Sequence, residues 1–313
     1  MNDKNPQVSI GLPVFNGENY LREALDSIIS QTFQDFEVII SDNASIDKTS
    51  EICLEYSKCD KRIKYYRNKR NIGASNNFNQ VFKLSSGKYF KWMAHDDVIA
   101  PNYLRECVDT LDNDSSIILC HPKIKIIDEN GIILGEYYFG PIFDSTKRHE
   151  RFGYFITERF ERTIFIFGLM RANILSQTSL FGNYIGADRK LLAEISLIGR
   201  MFVINKFLFF RRTHPKSFSE SPNLSKKEAL TWWSTECRVN FPHIKIFLEY
   251  LRSIQRIPMK RYERNLCYAQ IVKWFLKEGW FHIACDVAEN LIGHKRLNQF
   301  LSLIGKYMRF HFW

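Results

Sequence analysis

The chain has 313 residues, 45% of them hydrophobic and 25% charged, and a net charge of +10. Phe, Ile and Leu are spread throughout, which excludes a disordered chain and leaves one large α/β domain with an appendage, or two domains. No apolar run reaches the roughly 18 residues of a membrane-spanning helix, and the polar start MNDKNPQ lacks the apolar stretch of a signal peptide.

The seven cysteines contain no CxxC pair. Free thiols in a cytoplasmic protein are expected, with no structural zinc site. The charge is uneven. Residues 251–313 hold eleven Lys/Arg against four Asp/Glu, so +7 sits in that tail. An excess of this kind suits an anionic partner or a plain solvated basic face.

In chain order, QVSIGLPVF reads as a buried strand, followed by a helix with Leu21, Leu25, Ile28 and Ile29 on one face. FEVIISDNAS is a second strand. IDKTSEICLEYS is a helix for which Ser45 or Asp47 offers a cap. RIKYYRN, ASNNFNQVFKLS and KYFKWMA continue as strand, helix, strand, and PNYLRECVDTL is a helix with Pro101 in its first turn. SIILCHPKIKIID is a further strand, turning at ENG into IILGEYY. Beyond residue 140 the pattern loosens. FGLMRANILSQ and GADRKLLAEISLIG read as helices, MFVINKFLFFRRTH as a strand, and the chain from 226 onward as helical.

Repeated βαβ units predict a mostly parallel sheet with helices on both faces. Ligands bind such sheets at the carboxyl ends of the strands. The polar residues stand there: Pro13 to Asn16 after strand one, Asp42 and Asn43 after strand two, Asp96 and Asp97 after strand four. Two adjacent carboxylates ending an apolar strand repel each other and are costly to desolvate, so a positive partner is expected. A hard divalent cation bound by one or two carboxylates and completed by substrate phosphates fits. The alternative is an Asp pair capping the next helix. No G-x-G-x-x-G follows strand one and no Walker A sequence occurs, which disfavours nicotinamide, flavin and P-loop nucleotide sites.

Taken together and in order, GLPVFNGENYL, EVIISDNASID, NKRNIGASNNFN and AHDD resemble the family-2 inverting glycosyltransferases with the GT-A fold, across residues 8–215. The resemblance implies that Pro13, Phe15 and Asn16 lie against the nucleotide, that Asp42 reads the base, and that Arg70, Asn71 and Gly73 line the nucleotide. It implies that Asp96 faces the ribose and Asp97 a metal, Mn²⁺ or Mg²⁺. Many members read D-x-D-D where this chain has Ala94-His95-Asp96-Asp97, so the leading acid is missing.

In GADRKLLAEISLIG the resemblance makes Asp188 the general base, with Glu194 as a fallback. Arg211, Arg212 and His214 in FFRRTH are candidates to hold the pyrophosphate (the arginines) or to complete the metal shell (His214), and related members often have a similar R-x-H segment; the alternative is a surface basic turn. Trp232 and Trp233 offer faces for acceptor sugars, one of them expected in the core.

The expected architecture is a GT-A domain over 1–225, with a nucleotide half to about 128 and an acceptor half over 129–225, plus a helical C-terminal region over 226–313. The expected activity is inverting transfer from a nucleotide-sugar, UDP by default with GDP and dTDP open, to a glycan or lipid-linked acceptor in surface polysaccharide synthesis. A catalytically inactive nucleotide-sugar or glycan binder of the same fold is the alternative, motivated by the missing acid. A nucleic-acid partner is not expected, since no RRM, KH or helix-turn-helix signature occurs. Leu297, Phe300, Leu301, Ile304 and Met308 share a helical face, and Lys306 and Arg309 lie off it. That pattern suits peripheral contact with an anionic membrane, on its inner face for a cytoplasmic protein, or packing on the domain.

Overall fold

The computed structural model describes residues 5–137, 144–157, 160–215, 217, 232–233 and 241–293. Its first half alternates strand and helix: β1 (Val8–Val14), α1 (Leu21–Ile29), β2 (Phe36–Asp42), α2 (Thr49–Cys59), β3 (Ile63–Arg67), α3 (Ala74–Lys83) and β4 (Tyr89–Trp92). Then come β5 (Val98–Ile99), α4 (Tyr103–Asn113), β6 (Ile117–Ile127), β7 (Ile133–Tyr137), α5 (Arg148–Ile156), β8 (Leu169–Arg171), α6 (Ala172–Leu175), α7 (Ala187–Ser196) and β9 (Arg200–Arg212). Three helical segments close the described chain: α8 (Pro242–Arg256), α9 (Arg261–Trp274) and, after a π turn over Phe275–Gly279, α10 (Trp280–Ile292).

The strands form one sheet in the order β3-β2-β1-β4-β8-β6-β9-β5, with β7 paired to β6. β3, β2, β1 and β4 are parallel neighbours, as are β6 and β9. β8 joins the two parallel groups by running antiparallel to both β4 and β6. Side chains alternate across a strand, and the core divides accordingly. Val8, Ile10 and Leu12 of β1 face α1, α2 and α4. Phe90 and Trp92 of β4 face the opposite layer, built from α3, α5, α7 and the C-terminal helices.

Two segments depart from the expectation. FGLMRANILSQ, expected to be a helix, supplies β8 and then the one-turn α6. Its apolar residues fit helical spacing, but the gap between β4 and β6 needs a strand, and tertiary pairing outweighs local propensity. The two-residue β5, not anticipated, runs antiparallel to β9 directly after Asp97. Of the two capping residues proposed for α2, Asp47 accepts the Thr49 N–H at 3.0 Å, while Ser45 instead accepts the Asn16 N–H.

The cysteines among the described residues are all free thiols. No helix among them is long and apolar enough to cross a membrane. The amphipathic segment around Phe300 and Met308 lies outside the described residues.

Candidate active site

The loops after β1 and β2 are stitched together at the carboxyl edge of the sheet. Asn16 and Ala44 both take positive φ, +51° and +63°. Such backbone is disfavoured for residues with a Cβ and persists only where surroundings hold it. Here the holding bonds cross between the loops. Asn16 N–H donates to Ser45 Oγ, Ile46 N–H donates to Asn16 Oδ1, and Gly17 N–H donates to Thr49 Oγ1. Pro13 is buried, whereas Phe15 is left 42% exposed at the rim.

Asp42 is fully buried. It accepts the Ser45 N–H at 2.8 Å and the Tyr65 hydroxyl at 2.9 Å, with Arg67 Nε 3.5 Å away. In this conformation its carboxylate organises the β2 loop and does not reach the surface.

Beside it runs a neutral amide network. Asn43 donates to Asn71 Oδ1 and accepts from Asn68 and from the Ile72 N–H. Asn77 ties the network to Ser41 of β2. These bonds set the loop that ends at Gly73, whose φ of +81° and ψ of 155° are essentially confined to glycine. Arg70 is exposed on that loop.

Asp96 and Asp97 follow β4 and are gripped from β9. Asp97 is buried, and its Oδ1 accepts the Arg212 N–H at 3.0 Å. His214 Nε2 lies 3.1 Å from Asp96 Oδ2, and the Tyr20 ring packs against both His214 and the Arg212 guanidinium.

The two carboxyls titrate apart. Burial pushes Asp96 up, but His95 and His214 outweigh it and hold it below the usual carboxylate range. Burial and the adjoining Asp96 charge push Asp97 up to about 7, only partly offset by the Arg212 N–H and the charges of Arg211 and Lys91. Lys91 is itself buried in β4, and burial pulls it down to about 7. It is a further charge beside the pair that sequence reasoning missed, although a lysine inside YFKWMA was its visible signal.

Arg212 was expected to hold a pyrophosphate, and the structure gives it another task. Its side chain is almost wholly buried and its donors are already engaged: Nε with the Asp96 carbonyl, Nη1 with the carbonyls of Asp128 and Glu129, Nη2 with Glu23. It clamps the acidic loop to the β6–β7 turn and to α1. Arg212→Ala orphans those carbonyls and is expected to cost roughly 3 kcal/mol of stability, read as a lower denaturant midpoint. Arg211, next in the strand, points the other way, over the Tyr137 ring at 6.0 Å.

Asp188 sits in the first turn of α7, behind Gly186 at φ +81°. The segment leading to it is docked on α3: Ser75 donates to the Gly182 carbonyl, and Asn79 exchanges bonds with both backbone groups of Phe181. The start of α7 is thereby tied to the helix that Gly73 opens. Burial raises the Asp188 carboxyl above its ordinary value, although the Arg189 N–H and guanidinium pull the other way. Glu194, the fallback base, is committed elsewhere. It is buried against Lys190 at 2.6 Å and also pairs with Arg256, bracing α7 against α8. Trp233 is buried beside Phe181, while Trp232 is 40% exposed.

Among the described residues no group of three His, Cys, Asp or Glu side chains is arranged as a ready metal cage. The donor set nevertheless fits a hard divalent cation. Two adjoining carboxylates with an imidazole at one of them, one carboxyl pushed towards neutrality by its neighbour, make a site where added positive charge is favourable.

A mostly parallel α/β sheet flanked by helices, with an acidic pair after its fourth strand at the carboxyl edge, is the architecture of the GT-A class of sugar transferases. Solved structures of that class share the fold. S. aureus TarS residues 1–349 in complex with UDP-GlcNAc superposes with a TM-score of 0.64 at 16% identity, over 94% of this chain and 83% of that one. The mannosyltransferase PcManGT from Pyrobaculum calidifontis, in complex with GDP-Man and Mn²⁺, gives 0.53 at 12% identity, over 99% and 82%. Residues 9–181 match glycosyl transferase family 2, and the chain belongs to that family. An uncharacterized glycosyltransferase of Haemophilus influenzae is 31% identical over 231 residues, 71% of this chain and 70% of its own length. GlyA of Streptococcus pneumoniae is 28% identical over 68% of this chain, which spans only 31% of that protein. A Rickettsia typhi glycosyltransferase, 40% identical over 131 residues, is likewise matched over only 39% of its length.

Proposed function

We propose that the protein is an inverting glycosyltransferase, moving a sugar from a nucleoside diphosphate donor to a hydroxyl of a glycan or lipid-linked acceptor in surface polysaccharide synthesis. The observation that carries this reading is the Asp96–Asp97 pair, held by Arg212 and His214 at the carboxyl edge of the sheet. UDP is the favoured nucleotide, supported by the UDP-GlcNAc complex of TarS; the GDP-Man complex of PcManGT keeps GDP open.

In this reading Phe15 offers its exposed ring to the base, with Pro13 and Asn16 shaping the rim beside it. Gly73 and Asn71 let the backbone approach the nucleotide, and exposed Arg70 meets a base or phosphate. Asp42 contributes by holding the Ser45 backbone and the Tyr65 hydroxyl. Reading the base directly would require it to leave those partners. Asp96 accepts hydrogen bonds from the ribose. Asp97, with His214 nearby, would hold Mn²⁺ or Mg²⁺, which when bound neutralises charge on the leaving diphosphate.

Asp188 takes the proton of the acceptor hydroxyl as its oxygen bonds to the anomeric carbon. The bond to the diphosphate breaks on the opposite face, and the electron pair leaves with the nucleotide. Arg211 points away from the Arg212 clamp, over Tyr137, but its charge still acts on Asp97 from there and in this reading adds positive charge towards the leaving diphosphate.

Calorimetric titration of UDP, GDP and dTDP, each with and without Mn²⁺, tests the donor site. Micromolar binding of one nucleotide that weakens without metal supports it. No binding of any nucleotide under either condition sinks the reading.

A further inference from the structure

The C-terminal helices present an outer face that is built the wrong way round for water. α9, the π turn and α10 form one uninterrupted helical run from Arg261 to Ile292, since Trp274, Phe275 and Trp280 all keep right-handed helical backbone. The run is roughly 48 Å long at the α-helical rise. Its inner face is satisfied: Cys267, Ile271, Trp274, His282 and Asp286 are buried against α5 and α8.

Its outer face should then be polar. Instead Tyr262, Leu266, Val272, Leu276, Trp280 and Leu291 are all exposed, at steps that keep one helical face turned outward. Leu276 is 70% exposed and Leu291 79%. Isolated exposed leucines are ordinary, but a stripe along a whole helix marks an interaction surface.

The charges around the stripe select its partner. From Phe241 to Gly293, every exposed charged residue is basic: Arg252 and Arg256 on α8, which pair with Glu249 and Glu194, and Lys260, Arg261, Lys273 and Lys277. The acids of the same region are withdrawn. Glu249 and Asp286 are buried, and Glu263, Glu278 and Glu289 are half-buried. Lys273 and Lys277 stand within the run itself, on either side of Leu276 in sequence. Apolar residues, an interfacial tryptophan and flanking lysines without exposed acids are the requirements of a helix lying in the headgroup region of an anionic bilayer.

We infer that the outward stripe of the Arg261–Ile292 helix is a membrane-docking surface for anionic lipid. It is a different segment from the amphipathic tail beyond residue 293, and the inference holds whether or not the protein transfers a sugar.

The test is flotation of the full chain with phosphatidylcholine vesicles, with and without phosphatidylglycerol. Wild type is expected to float with the anionic vesicles only, and to be released as salt rises. The double variant Leu276→Glu/Trp280→Glu is expected to lose vesicle affinity by roughly 100-fold with an unchanged melting temperature. Both side chains are exposed, so the fold should tolerate the change. Lys273→Gln/Lys277→Gln supplies an independent, milder loss confined to anionic vesicles. Equal flotation of wild type and both double variants would overturn the inference, because the tail would then suffice. So would failure of wild type to float, or a wild-type dimer that Leu276→Glu/Trp280→Glu converts to monomer without any vesicle binding, which would give the stripe to a second copy of the chain.

Discussion

Asp188→Asn is expected to lower sugar transfer by roughly 100- to 10,000-fold, the range for loss of a general base, while leaving donor affinity unchanged. Asparagine keeps the shape of the side chain and an oxygen to accept the Arg189 N–H, which Asp188 accepts at 2.7 Å. The start of α7 should therefore stay in place, and the loss should fall on proton removal alone. Burial raises the Asp188 pKa, so the wild-type rate should fall as pH drops through that raised value and the carboxyl becomes protonated. The variant should lack this acidic limb. Donor binding measured by calorimetry separates a catalytic loss from a collapsed site. Transfer within about threefold of wild type would remove Asp188 as the base, and Glu194, locked between Lys190 and Arg256, could not replace it.

Asp97→Asn is expected to act in two opposite directions. Metal-dependent nucleotide binding should be lost, because the amide cannot supply the negative charge that a hard cation needs. The metal-free protein should nevertheless become more stable at pH 8. In the folded state Asp97 is held at about 7 by burial and by Asp96, against an ordinary value of 3.8. Between those values the folded chain binds a proton that the unfolded chain does not. Linkage then makes stability fall as pH rises through that window, with the full penalty present above it. Asparagine removes the penalty and can still accept the Arg212 N–H. The gain should be a melting temperature higher by roughly 2–6 °C at pH 8 and negligible at pH 4. A variant that melts lower than wild type at pH 8 would show that the carboxylate is already compensated within the apo fold.

The first half was legible because its signals are local. Branched runs such as VSIGLPV and FEVIISD are buried along their whole length, and the residues that end them fall at one edge of a parallel sheet. The second half was less legible because its partners are distant. The Leu169–Arg171 strand exists to fill the space between β4 and β6, a demand that no window of residues around Leu169 carries. The same reason hid the role of Arg212. In sequence it is one of two adjacent arginines, and the alternation of a strand sends one to the ring of Tyr137 and the other into a buried clamp. Asp42 shows the limit from the other side. Its position at a strand end was readable, but its engagement by Tyr65 and Ser45 depends on how three segments meet.

The Arg212 clamp also bears on how the chain acquires its site. Arg212 joins Glu23 across 189 positions, Asp96 across 116 and Asp128 across 84. Loops of that size are slow to close and carry the entropy of the intervening chain. The βαβ units of the first half can pair from neighbouring segments, and β1 and α1 already hold the chain on either side of the acidic pair, but Asp97 gains the Arg212 N–H and Asp96 the Arg212 side chain only once β9 has been made beside β6. Nucleotide binding should therefore be among the last properties to emerge during refolding. A nascent chain that has emerged only as far as α7 would carry Asp96, Asp97 and Asp188 without the geometry that gives them a purpose.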